Sequence, residues 1–174
     1  MALKRSIPMR NRLLDSDSFK SLFDQGVLVL FSGTTPTASG STPAASVAVG
    51  SSDKALLVVT NNAASYSAAS NGLLFASTAT SGFITKDTAQ TWQGAGKSSG
   101  SVSYFRFYSN KSSAATNIVA QIGASGAIAS TGVTAGQPCF QGTCGQTGDL
   151  QMVDTGITMG ATSTIDQFKL TLPE

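Results

Sequence analysis

Alternation between side-chain types is most regular at residues 100–108 (GSVSYFRFY), which also form the densest aromatic run of the chain. In a strand, successive side chains point to opposite faces of the sheet. One face of this segment then carries Phe105 and Phe107, and the other carries Val102, Tyr104, Arg106 and Tyr108. Aromatic and β-branched residues at this period are typical of a central, half-buried strand, and we predict that the other strands gather around it.

Shorter apolar runs separated by turn residues predict the remaining strands. The two clearest are the continuous apolar run at 27–31 and the run at 55–60, each followed by Gly, Pro or Asn residues that are typical of turns. Five weaker patterns lie at 72–76, 82–85, 117–122, 149–153 and 164–172. Because no fixed repeat period relates these segments, we predict an all-β fold, a single β-sandwich or jelly-roll-like domain, rather than a solenoid.

One short helix is predicted before the first strand, within residues 10–25. Ser16 or Ser18 can serve as its N-cap, and Gly26 stands where a C-terminal stop belongs. An apolar face at helical spacing is formed by Phe19, Leu22 and Phe23. Because a helix this short is stable only when it packs against other elements, we expect it to close one end of the β body or to lie on a neighbouring protein.

The composition supports this fold class and indicates the domain organisation. Among 174 residues, charged side chains make up 11% and hydrophobic ones 41%, and Ser, Thr and Gly fill much of the rest. That balance differs from the high charge of disordered chains and is poor for long helices. Since the length suits one domain with an arm, we predict a basic amino-terminal arm with the short helix at 1–26 and a β-sandwich domain at 27–174.

Positive charge is concentrated at the amino-terminal end. The net charge is +2, from 11 basic and 9 acidic residues, and four of the basic ones are Lys4, Arg5, Arg10 and Arg12. Four charges are few for a nucleic-acid role, so we expect them to be solvated or to contact an acidic neighbouring subunit. The arm also carries apolar residues that we expect to become buried only on assembly, namely Leu3, Ile7 and Met9.

Targeting and membrane signals are missing from the sequence. Charged residues at the start are not followed by the apolar segment that a secretory signal requires. No run approaches the roughly 18 apolar residues of a membrane span. We therefore expect assembly in a cytoplasm and no membrane partner.

Residues suited to catalysis are few. The chain has no histidine, which removes the commonest general base and the commonest zinc ligand. Asp149, Asp154 and Asp166 are carboxylates that the fold could bring together, although turns and strand edges also explain them. Residues 94–98 (GAGKS) resemble the end of a phosphate-binding loop, but Thr91 stands where that motif needs Gly, and the segment is interpreted as a flexible turn. We predict no enzymatic activity, no cofactor and no metal site.

The two cysteines, Cys139 and Cys144, enclose four residues. Without histidine or a second cysteine pair they make a poor zinc site. Two interpretations remain open. The pair closes a small loop as a disulfide, formed late in a particle that leaves the cell, or both thiols stay reduced.

Several segments, in their order and spacing, resemble a family of small tailed-bacteriophage virion proteins. The similarity extends along nearly the whole chain. Residues 109–140 depart from the family pattern by their greater length and by carrying Cys139. The matching pieces are 10–15 (RNRLLD), 30–36 (LFSGTTP), 71–75 (NGLLF), 91–94 (TWQG), 100–106 (GSVSYFR) and 141–150 (QGTCGQTGDL), continuing through Ile157, Gly160, Phe168 and Pro173.

The resemblance implies a structural component of the virion and not an enzyme. Our first hypothesis is a capsid decoration, or cement, protein whose arm and helix lie across neighbouring capsomers and stabilise the head. Its partners would be the major capsid protein or other virion proteins, and it would form a homo-oligomer, a trimer or a ring. We expect its location to be the virion, after assembly in the cytoplasm of the bacterial host.

Two further hypotheses belong to other classes. The first is a tail, collar or fibre component that binds neighbouring virion proteins or a glycan on the host surface. Its candidates for stacking on sugars are Tyr66, Trp92 and Tyr108, although a single Trp is also typical of a protein core. The second is an enzyme such as a depolymerase, which would depend on the three aspartates named above.

Overall fold

The structure, a computed structural model, describes residues 4–5, 18–37, 45, 48–50, 52–68, 70–81, 83–129, 137–152 and 154–171. Short strands dominate these residues, joined by turns. In chain order the elements are β1 (Lys4–Arg5), α1 (Phe19–Phe23), β2 (Val27–Phe31), β3 (Ala55–Asn61), β4 (Phe83–Thr85), β5 (Trp92–Ala95), β6 (Gly100–Ser101), β7 (Tyr104–Tyr108), a 3₁₀ turn (Lys111–Ser113), α2 (Ala114–Gln121), β8 (Cys139–Gly145), β9 (Leu150–Gln151), β10 (Gly156–Ile157), β11 (Thr162–Thr164) and β12 (Lys169–Thr171).

One curled sheet contains most of the strands, in the order β1-β8-β7-β2-β3-β5-β11, with β9 added beside β8. Neighbouring strands are antiparallel, except that β8 and β9 run parallel. Two small antiparallel pairs, β10 with β6 and β12 with β4, accompany it. The predicted all-β, sandwich-like class is therefore confirmed.

Strand β7 lies in the middle of this sheet, between β8 and β2, as its alternating pattern predicted. Phe105 and Phe107 belong to one core cluster, whereas Tyr104 and Tyr108 belong to the other. All five side chains of the strand are buried. The strand is therefore covered on both faces, although the sequence predicted burial of one face only.

The larger core cluster is rich in aromatic rings. Phe107 stacks on Phe140 with the ring centroids 5.3 Å apart, and Phe75 and Trp92 meet edge to face at 5.5 Å. Helix α1 adds Phe23, whose ring meets that of Phe140 at 4.8 Å. Such aromatic contacts supply much of the buried apolar area of a small domain.

Helix α1 confirms the predicted helix in its cap and its apolar face. The Ser18 side chain accepts a hydrogen bond from the Ser21 backbone N–H at 3.1 Å. Leu22 and Phe23 are fully buried in the larger core cluster. The helix therefore packs on the β body, which was one of the two positions expected for it.

Helix α2 corrects a prediction, because residues 117–122 had been assigned to a strand. The structure places most of them in Ala114–Gln121, behind the 3₁₀ turn. Ala115 and Ile118 of this helix are buried against the second face of the sheet. The apolar positions of this segment fit a helix and a strand equally well, and packing on the sheet decides between them.

Three smaller differences concern strand boundaries. The segment 94–98, interpreted as a flexible turn, begins within strand β5 (Trp92–Ala95), and a Cβ atom on Gly94 would lie 2.2 Å from the Val58 carbonyl oxygen. Residues 72–76 form only single bridges. Residues 100–101 separate from β7 as strand β6 and pair with β10.

Candidate functional site

The outer edge of strand β8 carries part of the basic amino-terminal segment. Lys4 and Arg5 form β1, which pairs antiparallel with Gln141 and Phe140. The segment 1–26 therefore contributes a strand to the main sheet as well as helix α1. Of the remaining residues predicted to make assembly contacts, Leu3, Ile7, Met9, Arg10 and Arg12 lie outside the described residues.

A groove of about 800 Å³ lies beside the opposite end of the same edge, where β9 pairs with β8. Its walls come from segments 146–152 and 164–169, together with Asp154. We call it the acidic groove, because Asp149, Asp154 and Asp166 all line it, accompanied by one basic residue, Lys169. The structure thus brings together the three aspartates that the sequence had singled out.

Two of these carboxylates accept hydrogen bonds from residues close to them in the sequence. Asp149 Oδ2 accepts hydrogen bonds from the N–H of Thr143 at 2.9 Å and from its hydroxyl at 3.1 Å. Asp154 Oδ1 accepts one from the Gly156 N–H at 2.7 Å. Asp166 is exposed. Asp149 and Asp154 therefore stabilise turns, in agreement with their interpretation from the sequence as turn and strand-edge residues. They also contribute negative charge to the groove.

Amide and apolar side chains complete the groove. Gln146, Gln151 and Gln167 contribute amides to its lining, whereas Leu150 and Phe168 contribute apolar surface and are themselves largely buried in the larger core cluster. In the part of the chain that the structure describes, no group of three or more Asp, Glu, Cys or His residues is arranged to hold a metal ion.

A second group of polar side chains is buried within the fold, on the face of β7 opposite the phenylalanines. The Tyr104 hydroxyl donates to Asp53 Oδ2 at 2.9 Å. Arg106 Nε donates to Gln141 Oε1 at 3.0 Å, and Gln141 Nε2 donates to the Pro36 carbonyl at 2.8 Å. All four of these side chains are at most 5% exposed, so they can reach no ligand without opening the core. We assign them to the fold.

Burial shifts the pKa values of side chains in this group and of the neighbouring Tyr108. Desolvation raises the pKa of Tyr104 well above its ordinary value, and the hydrogen bond to Asp53 raises it further. Desolvation likewise raises the pKa of the Tyr108 phenol. The pKa of Arg106 is raised by the neighbouring tyrosines and Cys139, which outweigh its own desolvation. The guanidinium is therefore a permanent buried charge.

The cysteines are not joined, which corrects the disulfide interpretation. Cys139 and Cys144 form no disulfide bond and lie five residues apart along β8. Residues at that separation point to opposite faces and lie about 16 Å apart, well beyond the reach of a disulfide. Cys139 belongs to the second core cluster, whereas Cys144 packs against the first. Burial and the nearby Asp149 raise the pKa of Cys144 to about 12.

The aromatic residues proposed to stack on sugars are mostly inaccessible. Trp92 and Tyr108 are fully buried in the core. Tyr66 is half-buried, and its hydroxyl donates to the Gln25 carbonyl at 2.9 Å. A single Trp is typical of a core, as noted for Trp92 above. No local pattern separates the other two residues, because aromatic residues beside turns occur both in binding sites and in cores.

No helix among the described residues is both long enough and apolar enough to cross a membrane. Comparison with known proteins identifies no relative. No protein-family model matches the chain, and neither a curated protein nor a solved structure matches it.

Proposed function

We propose that this protein is a non-enzymatic structural component of a bacteriophage virion, a capsid decoration protein that stabilises the head. Its basic amino-terminal segment contacts the major capsid protein or another virion protein. The resemblance of the sequence to small virion proteins motivates the proposal. The location that follows from it is the virion, after assembly in the bacterial cytoplasm.

The observation that carries the proposal is the attachment of the basic segment to a rigid body. Lys4 and Arg5 are tied to β8 by backbone pairing, and Phe23 of helix α1 is fully buried. The parts of segment 1–26 that the structure describes are therefore attached to the β body. Anchoring reduces the conformational entropy that a segment loses when it binds a neighbour, so two positive charges on it can contribute to a stable contact.

The charge of this segment provides the test. The variant Arg10→Glu/Arg12→Glu reverses two charges without altering β1 or helix α1. We expect it to lower the number of copies bound per purified phage particle by about tenfold, because like charges then oppose an acidic neighbour. The copies are counted by quantitative mass spectrometry of the particles, and circular dichroism checks the fold of the free protein.

The matched control reverses two charges elsewhere. Lys54 is exposed and Lys97 is half-buried, and neither lies in β8 or its neighbouring strands. We expect Lys54→Glu/Lys97→Glu to bind particles as the unchanged protein does. Equal incorporation of both double variants would refute a role for the basic segment in assembly.

The acidic groove favours a second candidate, a tail, collar or fibre component that binds a host-surface glycan. Its volume of about 800 Å³ and its carboxylate and amide lining suit a ligand rich in hydroxyl groups. Cryo-electron microscopy of particles separates the two candidates. Hundreds of copies over the shell would support decoration, whereas about a dozen or fewer at one vertex would support a tail or collar position.

A further inference from the structure

Strand β11 is an open edge of the main sheet. It pairs with β5 on one side, and no other described strand lies beside it. At the other end of the sheet, by contrast, the outer edge of β8 is covered by β1 and β9. Open edges are usually protected by a very short strand, by Lys or Pro, or by a bulge, because their free backbone groups pair readily with another strand. Strand β11 has only three residues, but its sequence, Thr-Ser-Thr, contains neither Lys nor Pro.

Hydrogen bonds at the two ends of β11 show which residues are bonded to β5. Ile165 N donates to Trp92 O at 2.7 Å, and Gly96 N donates to Ala161 O at 2.9 Å. In an antiparallel ladder, hydrogen-bonded and non-bonded pairs alternate. Ser163, midway between these two bonds, therefore directs its backbone groups toward β5.

The two threonines have the opposite orientation. The N–H and C=O groups of Thr162 and Thr164 point away from β5, and both residues are exposed. Within the part of the chain that the structure describes, these four backbone groups have no hydrogen-bond partner. The edge thus offers two donors and two acceptors at the spacing that a neighbouring strand requires.

We infer that β11 pairs with β11 of a second copy across a two-fold axis, which joins the two sheets. The sequence Thr-Ser-Thr is the same in both directions, so antiparallel pairing centred on Ser163 places Thr162 opposite Thr164 of the second copy, twice. Four backbone hydrogen bonds form, and the edge becomes self-complementary, as an isologous contact requires. Threonines facing each other across strands are a favourable pair.

The surroundings of β11 are compatible with this register. Asp166 falls opposite Gly160 of the second copy, so no like charges face each other. The acidic groove borders Thr164, which leaves space beside that end of the edge. Met159, 59% exposed and the one large hydrophobic side chain exposed in the described ranges, lies three residues before Thr162. Pairing brings this side chain close to the second copy.

The contact is small, and it does not depend on the proposed function. Four backbone bonds bury far less than the roughly 1,000 Å² of a stable interface, so we expect weak, reversible dimers. Sedimentation velocity at concentrations up to roughly 1 mM detects association of this strength.

The two-fold contact also differs from the trimer or ring expected of the virion protein. The dimer and the virion function can therefore be confirmed or refuted independently of each other.

A charge exchange tests both the contact and its register. Thr162→Lys/Thr164→Lys places like charges opposite each other, and we expect association to weaken by about tenfold. Thr162→Lys/Thr164→Glu places opposite charges across the axis in this register, so dimerisation should return to the level of the unchanged protein. Thr78→Lys/Thr88→Lys, at two exposed turn positions, is the matched control and should leave dimerisation unchanged.

Amide hydrogen exchange gives an independent measurement on the unchanged protein. We expect protection of the Thr162 and Thr164 amides to increase with protein concentration, whereas that of Ser163, already bonded to β5, stays constant. A protein that remains monomeric at the highest concentration would overturn the inference. So would equal association of the Lys/Lys and Lys/Glu variants, or exchange at Thr162 and Thr164 that is independent of concentration.

Discussion

Phe107 holds the aromatic core together. Its ring contacts those of Phe23, Phe75, Trp92 and Phe140 at centroid distances between 5.3 and 5.9 Å. These rings come from helix α1, from the loop at 70–81 and from strands β5 and β8. A single side chain of the central strand therefore links elements that are distant in the sequence.

Removal of this ring is expected to be severely destabilising. Phe107→Ala leaves a cavity among the surrounding aromatics and should lower the free energy of unfolding by about 3–5 kcal/mol. That loss is a large fraction of the total stability of a typical domain. Urea denaturation measures it. Phe83→Ala, at a half-buried ring beneath Lys169, is the control and should cost under about 2 kcal/mol.

The cysteines allow a chemical check on the register of β8. We expect mass spectrometry under non-reducing, denaturing conditions to find two alkylatable thiols, because strand geometry keeps Cys139 and Cys144 apart. In the folded protein at about pH 8, both should react slowly, since Cys139 is 1% exposed and the raised pKa of Cys144 keeps it protonated. Recovery of an intrachain disulfide would contradict the placement of both residues on one strand.

At the scale of elements, helix α1 depends on its cap. Ser18→Ala removes the hydrogen bond to the Ser21 N–H and should lower the free energy of unfolding by about 1 kcal/mol. Ser77→Ala, at an exposed bend, serves as the control and should change it by under about 0.5 kcal/mol. Urea denaturation of the two variants measures both effects. Equal stability of the two variants would show that tertiary packing alone holds the helix.

Local sequence patterns predicted an element correctly where the local pattern and the tertiary packing favour the same secondary structure. The apolar run Val27–Phe31 and the alternation in Tyr104–Tyr108 both predict strands, and both strands are present. The helix Ala114–Gln121 was missed because its apolar positions fit both a helical and a strand period. Tertiary packing decided its structure.

The candidate site was predicted only in part, for a similar reason. Asp149, Asp154 and Asp166 were singled out as scattered carboxylates that the fold could bring together, and all three line one groove. The pairing of β1 with β8 joins residues about 135 positions apart in the sequence, and no local pattern predicts such a contact. The open edge at β11 likewise follows from strand order and not from the letters Thr-Ser-Thr.

At the scale of the whole molecule, the buried ionisable groups make stability depend on pH. Tyr104 and Tyr108 have pKa values raised above 10.0, and that of Cys144 is raised from 9.0 to about 12. In each case the folded state holds the proton more tightly than the unfolded chain does. The stability these groups contribute is therefore fully present below about pH 9 and is lost as the pH rises above their unfolded values.

Alkaline unfolding tests this account. We expect the free energy of unfolding to fall above about pH 10, by up to about 1.4 kcal/mol per pH unit for each group, because the unfolded chain loses protons that the folded protein retains. Urea denaturation between about pH 8 and pH 11 measures the slope. Tyr108→Phe removes one of the three groups, so its slope should be shallower by about one such contribution, whatever its stability at pH 8. A stability that is constant up to pH 11, or a variant with an unchanged slope, would show that the phenols are not buried as the fold places them.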